Sequence, residues 1–188
     1  KILLLDSMIP DYGGNAFNVK ELRNKVEINY SDMRKSRAIQ ELIKNQDIIF
    51  NLAGQISHID SMNDPQNDLD INCRAQLELI EACRLSNNEV KIVYASTRQI
   101  YGRPLYSPID EKHPIRPIDI NGINKRSGEA FHILYYNLFG IRTCSLRLTN
   151  TFGPRQLMKH NRQRFIPYII RQAIDNEEIK IYGDGSQL

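Results

Sequence analysis

Short apolar runs alternate with longer amphipathic stretches over the first 150 residues of this 188-residue chain. Apolar runs of about five residues are typical of buried strands, and apolar positions at helical spacing are typical of helices that cover a sheet. Because β-α-β units are almost always right-handed, this order predicts an α/β fold with a Rossmann-like, doubly wound parallel sheet. The expected strands are 1–6, 25–30, 47–52, 90–95 and 142–148, and the expected helices are 36–45, 65–85 and 122–139.

The strand–helix alternation stops after about residue 150, where Pro154, Pro167 and scattered Arg and Lys residues take its place. We therefore expect two domains. Residues 1–150 would form the sheet domain, and residues 151–188 would be the start of a smaller C-terminal domain.

Composition argues against several classes of function. A net charge of +3 is too small to indicate a nucleic-acid partner. No apolar run approaches the roughly 20 residues that span a membrane, so a cytoplasmic location is expected. The three cysteines are odd in number and lie within apolar patterns, which favours reduced thiols. The four histidines show no ligand spacing, so we expect no metal site.

Ligands of open parallel sheets bind beyond the carboxyl ends of the strands, so the residues that follow each strand carry the most information. Asp6 could accept hydrogen bonds from an adenine ribose and would repel a 2′-phosphate, which favours NAD over NADP, although a turn-forming Asp gives the same pattern. Asp32 could meet the adenine edge or could cap a helix. The small residues of Leu52-Ala53-Gly54 would let a flat cofactor lie close, or would simply form a tight turn.

The glycine-rich phosphate loop of dinucleotide-binding domains is absent from this sequence. Gly13-Gly14 has no third glycine at the required spacing, so it predicts a turn. The acidic residue that closes this fingerprint normally lies about 20 residues after it, whereas here it is Asp6. We expect that the chain begins at the second strand of such a domain, and that the first strand and the glycine-rich loop are missing from it.

Several further motifs occur in a fixed order across nearly the whole chain. They are Leu5-Asp6-Ser7, Ser31-Asp32-Met33, Asn51-Leu52-Ala53-Gly54-Gln55, Asp70-Ile71-Asn72-Cys73, Ser96-Thr97 with Tyr101-Gly102, Asn121-Gly122-Ile123-Asn124-Lys125, Leu146-Arg147-Leu148-Thr149-Asn150 with Phe152-Gly153-Pro154, and Ile181-Tyr182-Gly183-Asp184-Gly185. In this order the chain resembles the extended short-chain dehydrogenase/reductases, which use NAD to epimerise or dehydrate nucleotide sugars.

The resemblance implies that residues 1–150 form an NAD-binding domain and that residues 151–188 are the start of a nucleotide-sugar-binding domain that is incomplete here. It also implies a role for each matching position. The implied catalytic residues are Thr97, Asn121 and Lys125. The implied cofactor-binding residues are Asp6, Ser7, Asp32, Met33, Leu52, Ala53, Gly54, Asn72, Ala95, Lys125 and Leu148. The implied substrate-binding residues are Thr97, Asn150, Arg164, Phe165 and Tyr182. A basic segment around the last group, in which Arg side chains can make bidentate contacts, would bind the pyrophosphate; it contains Arg155, Lys159, His160, Arg162 and Arg164.

Asn121 departs from the family, which has an acid/base Tyr at this position. A phenol can exchange a proton, with a pKa that a neighbouring ammonium lowers, whereas a carboxamide has no usable pKa. Three explanations stay open at this point. Another group acts as the base, Asn121 is an introduced substitution, or the protein binds its ligands without completing a redox cycle. The candidate bases are Tyr101, His113, Asp110 and Glu111.

Arg98 and Gln99 stand where the dehydratases of the family carry an acidic pair, which disfavours dehydration. The leading interpretation is an NAD-dependent nucleotide-sugar epimerase like UDP-glucose 4-epimerase, with an altered proton relay. The alternatives are a protein that binds NAD and nucleotide sugar without turnover, and a nucleotide-sugar dehydratase or reductase. The resemblance also implies a homodimer formed through the helices that begin near Pro65 and Gly122, and no nucleic-acid or membrane partner.

Overall fold

The structure is a computed structural model that describes residues 1–159, 165–181 and 183–184. Its strands are β1 (Leu3–Leu5), β2 (Glu27–Asn29), β3 (Ile48–Asn51), β4 (Lys91–Thr97) and β5 (Thr143–Leu148). Its helices are α1 (Ser36–Leu42), α2 (His58–Asn63), α3 (Pro65–Leu69), α4 (Ala75–Ser86), α5 (Ile120–Phe139) and α6 (Phe165–Ile174). Short 3-10 helices cover Pro10–Tyr12, Ala16–Leu22 and Arg98–Tyr101.

All five strands pair in parallel, in two groups. β1 pairs with β2, and β3, β4 and β5 pair in that order. The common doubly wound fold has six strands in the spatial order 3-2-1-4-5-6, in its own numbering. Its strands 3 and 2 are neighbours, and so are its strands 4, 5 and 6. The two observed groups therefore match the two parts of that order on either side of its strand 1. The predicted α/β fold with a parallel sheet is confirmed.

The expected helices and strands are present, with shifted ends. The expected helix 65–85 consists of α3, a π-helical segment at Asp70–Arg74, and α4. Pro65 begins α3, where its missing N–H costs no hydrogen bond, and the Asp64 side chain caps that helix by accepting from Asn67 N. The π-helical segment adds a wider turn between α3 and α4, and such turns occur often at functional sites.

The main core lies on one face of the β3–β4–β5 sheet. Helices α1, α4 and α5 pack there, and α1 and α4 also contact each other. The buried side chains include Ile39, Ile43, Leu79, Ile80, Cys83, Val90, Ile92 and Ile141. On the opposite face, Phe50 of β3 and Leu146 of β5 are exposed. The strands were expected to be buried. The residues that the structure describes cover only one face of them.

Two smaller features complete the fold. Gly13-Gly14 follows a 3-10 turn; Gly13 has a φ of 94°, and Gly14 N donates to Ile9 O at 2.9 Å, so this pair forms the expected turn. After β5 the described chain contains α6, whose Ile170 and Ile174 are exposed.

Candidate functional site

The candidate site lies at the carboxyl ends of β3 and β4, where Lys125 reaches across from α5. The Asp119 side chain caps α5 by accepting a hydrogen bond from Gly122 N at 2.6 Å. This cap starts the helix so that Lys125 lies in its second turn. The Lys125 ammonium is 4% exposed and donates to Ala95 O at 3.0 Å. Among the residues that the structure describes, Lys125 makes no ion pair.

Gly54 and Asn72 complete this site. A Cβ at Gly54 would lie 2.6 Å from Lys125 Nζ and 3.0 Å from Asn72 Oδ1, so only glycine leaves the ammonium where it is. Asn72 Nδ2 donates to Gln55 O and Asp68 Oδ2. Asn72 Oδ1 is buried and has no hydrogen-bond partner within the described part of the chain. A buried acceptor without a partner is costly and is suited to a ligand donor.

The environment of Lys125 changes its acidity. Burial lowers the pKa of Lys125 to about 8, against the opposing effect of the negative charge on Asp68. An amine with this pKa is present in both charged and neutral forms near neutral pH. The arrangement can therefore either hold a polar ligand or exchange a proton with one.

Asn121 lies beside this site, but its carboxamide is turned into the protein interior. The side chain is 1% exposed, and Nδ2 donates to Gln55 O at 2.9 Å, to Gln55 Oε1 at 3.2 Å and to Asp68 Oδ2 at 2.9 Å. Asn124 Nδ2 donates to Asp68 Oδ1 at 2.8 Å. The buried Asp68 carboxylate thus accepts hydrogen bonds from three carboxamides, those of Asn72, Asn121 and Asn124.

Thr97 ends β4, two residues after the carbonyl that binds Lys125. Its Oγ1 accepts from Gln99 N at 3.2 Å and donates to Gln99 Oε1 at 3.4 Å. These local contacts hold the hydroxyl at the strand end. Because Thr97 is only half-buried, the hydroxyl is still partly accessible. Ser96 points to the other face of β4 and donates to Glu129 Oε2 at 2.8 Å.

Two of the candidate bases named from the sequence, Tyr101 and His113, are committed to structural contacts. The Tyr101 hydroxyl accepts from Arg147 Nη1 at 2.8 Å. His113 Nε2 accepts from Leu105 N at 2.9 Å, so Nδ1 carries the proton that it donates to Pro114 O at 3.0 Å. With both ring nitrogens engaged, His113 holds its loop together.

The other two candidates, Asp110 and Glu111, lie on the exposed part of that loop. Asp110 Oδ1 accepts from the Tyr106 hydroxyl at 2.7 Å and from Lys112 N at 3.1 Å. The Glu111 side chain is exposed. Neither residue contacts Lys125, Thr97 or Asn121.

On the side expected to bind adenosine, the candidate residues follow the carboxyl ends of the paired strands β1 and β2. Asp6 is exposed after β1, with Oδ1 accepting from Met8 N, and Ser7 is exposed beside it. Asp32 is paired with Arg34, and hydrogen bonds from that side chain hold the pKa of Asp32 below its usual value. Met33 packs in the core, 8% exposed.

The remaining predicted residues lie after β3, at the end of β5 and in the segment that follows β5. Leu52 and Ala53 are exposed after β3, and Leu148 ends β5 with 40% of its surface exposed. Asn150 and Phe165 line a small pocket together with Thr151, Phe152, Ile166 and Pro167. Arg164 and Tyr182, like His160 and Arg162 of the basic segment, lie outside the described residues.

The described part of the basic segment contacts the N-terminal region. Arg155 donates to Asn18 O at 2.6 Å and to Glu21 Oε2 at 3.0 Å. Lys159 lies 3.7 Å from the Asp11 carboxylate. These contacts join the chain after β5 to the two 3-10 helices Pro10–Tyr12 and Ala16–Leu22.

The sequence reasoning missed Gln55, Asp68 and Asn124. A signal for Asp68 was present, because it lies four residues before Asn72 and would share its helix face. Gln55 follows the recognised Gly54 directly. Asn124 lies inside the recognised segment, but nothing in a single sequence indicated that it would donate to a buried acid.

The described residues contain no group of three His, Cys, Asp or Glu side chains that could hold a metal ion. Over the same residues, no helix is both long enough and apolar enough to cross a bilayer.

The parallel sheet, the hydroxyl at the end of β4 and the buried lysine of α5 define a Rossmann-like domain of the short-chain dehydrogenase/reductase class. The chain belongs to the NAD dependent epimerase/dehydratase family, whose model matches residues 8–188.

Comparison with individual proteins agrees with this assignment. A putative UDP-glucose 4-epimerase of Methanocaldococcus jannaschii is 32% identical over 188 residues, which is 99% of this chain and 59% of that relative. A UDP-N-acetylglucosamine 4-epimerase structure from Methanobrevibacter ruminantium has a TM-score of 0.88 at 24% identity, covering 100% of this chain and 67% of that one. A UDP-glucose 4-epimerase complex with NAD from Thermus thermophilus has a TM-score of 0.77 at 28% identity, covering 87% and 51%.

The chain spans about three fifths of the curated relative's length. The activity, substrate and partners of the whole protein are therefore proposals.

Proposed function

We propose that this chain belongs to an NAD-dependent nucleotide-sugar epimerase of the UDP-glucose 4-epimerase type, which oxidises and re-reduces one sugar hydroxyl. The observation that carries this proposal is the cluster at the ends of β3 and β4. There the buried Lys125 ammonium, the unpartnered Asn72 Oδ1 and the side-chain-free surface of Gly54 converge. Parallel sheets of this type bind their ligands at this edge.

These residues fit NAD in the part of the site that the chain contains. Lys125 would bind the nicotinamide ribose, and Asn72 with Gly54 would face the middle of the cofactor. Asp6 would accept hydrogen bonds from the adenosine ribose. When bound, NAD would supply the hydride acceptor that sugar oxidation requires.

The nucleotide sugar would lie beyond Thr97, whose half-buried hydroxyl would contact the reacting sugar hydroxyl. Asn150, Phe165, Arg164 and Tyr182 would bind the rest of the substrate. Arg98 and Gln99 are the reason to prefer epimerisation over dehydration, because neither can act as the acid that eliminates water.

A second candidate function is binding of NAD and nucleotide sugar without redox turnover. The orientation of Asn121 favours it, because the carboxamide is 1% exposed and hydrogen-bonded to Gln55 and Asp68. A side chain held in this way cannot replace a phenol in proton transfer.

Turnover assays on the full-length protein separate these two functions. The protein is incubated with NAD and a panel of nucleotide sugars while reduced-nicotinamide absorbance and sugar interconversion are followed. Interconversion by the unmodified protein, lost in Lys125→Ala, supports the epimerase.

Binding without interconversion, together with activity that appears in Asn121→Tyr, would favour the binding protein. Asn137→Tyr is the matched control, because Asn137 is an exposed Asn on the same helix. It should bind and turn over like the unmodified protein.

We also propose that the protein is a cytoplasmic homodimer without nucleic-acid or membrane partners. Exposed apolar side chains on α4 and α5 support the dimer, among them Leu85, Ile133 and Leu134. Sedimentation of the full-length protein tests it, and a monomer at micromolar concentration would contradict it.

A further inference from the structure

Sugar oxidation requires a group that accepts the hydroxyl proton, and the position where the family carries its Tyr cannot supply one here. The Asn121 carboxamide has no usable pKa and is directed at Gln55 and Asp68. Tyr101 and His113 are held in structural contacts. Lys125 is a titratable side chain at the carboxyl ends of β3 and β4, and its one hydrogen bond among the described residues, to Ala95 O, leaves N–H groups of the ammonium free for a ligand.

We propose that Lys125 is itself the proton acceptor and donor for the sugar hydroxyl, in place of the group at position 121. This inference rests on the proposed function. In the oxidation step, neutral Lys125 takes the hydroxyl proton and becomes an ammonium as the carbinol carbon loses hydride and becomes a carbonyl carbon. NAD, when bound, would supply the hydride acceptor for this step and the hydride donor for its reverse. In the reverse step, the Lys125 ammonium protonates the carbonyl oxygen.

The surroundings of Nζ suit this role. Among the described residues the amine has one hydrogen-bond acceptor, Ala95 O at 3.0 Å, whereas an ammonium has three N–H groups. Ala95 and Thr97 lie on the same strand, two residues apart, so the amine and the Thr97 hydroxyl share one end of β4. Because Gly54 has no side chain, Nζ can lie directly against its backbone, where a Cβ would be only 2.6 Å away.

The charged and titratable groups around Lys125 leave it able to lose its proton. Asp68 of α3 and Tyr94 of β4, whose ring centroid lies 5.3 Å from Nζ, face it from the neighbouring elements. On α5 itself, Glu129 is engaged by Arg147, and burial lowers the pKa of His132, which favours its neutral form. Burial dominates over the charge of Asp68 and brings the pKa of Lys125 to about 8.

Variants at Lys125 test the proposal in the full-length protein. Lys125→Met should lower kcat by about 10²–10⁴-fold, the usual contribution of a general base. Added primary amines should restore part of this activity, in order of their basicity. A residue that only holds the ribose would raise KM for NAD and would show no such graded rescue.

Lys125→Arg keeps the positive charge and provides a second test if the Met variant folds poorly. Because a guanidinium does not deprotonate in proteins, this variant should bind NAD within a few-fold of the unmodified protein but lose turnover. Lys112→Met, at an exposed loop lysine, is the control and should leave kcat unchanged.

A titration that does not depend on activity completes the test. In cofactor-free protein, the NMR signals of the Lys125 side chain, assigned by loss in Lys125→Arg, should titrate with a midpoint near pH 8. The kcat profile should rise with pH around a similar midpoint. A Lys125 midpoint above about 10, the value of an ordinary lysine, would overturn the proposal.

Gly54→Ala offers a further check, because its Cβ would displace Lys125 Nζ. It should lower kcat in the unmodified background and have little further effect in Lys125→Met. If Gly54→Ala lowered kcat equally in both backgrounds, its effect would not depend on the Lys125 amine.

Failure of the inference and failure of the proposed function are distinguishable. Interconversion that persists in Lys125→Met and Lys125→Arg overturns this inference and leaves the epimerase standing. Lack of any interconversion by the unmodified protein overturns both.

Discussion

Two buried carboxylates, Asp68 against α5 and Glu129 on that helix, are held in opposite ways. Glu129 accepts hydrogen bonds from Arg147 Nη2 at 2.7 Å and from Ser96 Oγ at 2.8 Å, so it forms an ion pair. Asp68 accepts hydrogen bonds from the carboxamides of Asn72, Asn121 and Asn124. Both acids are at most 1% exposed.

The Glu129 ion pair therefore has a structural role, whereas the charge of Asp68 influences the candidate site. The Glu129–Arg147 pair connects α5 to β5 and, through Ser96, to β4, and its two charges cancel locally. The amide dipoles around Asp68 satisfy its oxygens without a cation, so its negative charge acts on Lys125 and raises the pKa of that lysine against the effect of burial. Neutral hydrogen-bond donors can therefore stabilise a buried carboxylate and leave its negative charge able to act on neighbouring groups. An ion pair would cancel that charge locally.

Arg147→Met tests the structural half of the comparison and should have the largest effect. Removing one partner of a buried pair leaves an uncompensated charge, so the free energy of unfolding should fall by about 3–5 kcal/mol. Arg142→Met is the control, because the Arg142–Glu89 pair is exposed and should contribute at most about 1 kcal/mol. Urea unfolding measures the free energy of unfolding of both variants. Equal decreases would show that the buried pair stabilises the fold no more than the exposed pair does.

The pH dependence of stability should follow the same pair. Burial raises the pKa of Glu129, but hydrogen bonds from Arg147 and Ser96 and the charge of Arg147 outweigh it, so the folded pKa lies below the ordinary value of 4.5. The ionised form therefore contributes stability that is present above that value and is lost as the pH falls through the folded pKa. Tm should fall between about pH 5 and pH 3, and less steeply in Arg147→Met. An unchanged slope in that variant would assign the loss to another group.

Asn121→Ala tests the amide-held half and should have an intermediate effect. It removes a donor from Asp68 and from Gln55 O in a buried setting, so stability should fall by about 1–3 kcal/mol. Asn137→Ala, at the exposed Asn of α5, should change stability by less than about 0.5 kcal/mol. A loss in Asn121→Ala as small as that in the control would mean that two carboxamides hold Asp68 well enough without the third.

Asp119→Ala should have the smallest effect, and it acts on both acids, because α5 contributes Asn121 and Asn124 to one cluster and Glu129 to the other. Loss of the cap should cost about 1 kcal/mol. Asp119→Ser, which keeps a capping oxygen, should recover most of that stability in thermal unfolding. Equal destabilisation by Ser and Ala would show that the hydrogen bond to Gly122 N is not what stabilises the helix start.

Much of the fold was predictable from sequence, because strand and helix periods depend on local patterns. The run at Thr143–Leu148 and the amphipathic stretch of α5 became the expected strand and helix. The ends were less predictable: α4 extends to Ser86, and a π-helical segment separates it from α3. The motif did not indicate that the side chain of Met33 would pack in the core.

The site was partly predictable. The resemblance to the family assigned Gly54, Asn72, Thr97 and Lys125 to one site, and the structure brings Gly54, Asn72 and Lys125 together. The sequence did not indicate that the Asn121 carboxamide would be turned inward. That orientation depends on Gln55 and Asp68, which lie 66 and 53 residues away along the chain.

The sequence by itself determined the family, the parallel α/β architecture and the presence of a carboxamide where the family has a phenol. These properties follow from residue identity and local spacing. Only the tertiary structure decided that Asn121 stabilises a buried acid and that Lys125 is enclosed without an ion pair. Such outcomes depend on which polar groups are brought together out of water, and folding alone sets those distances.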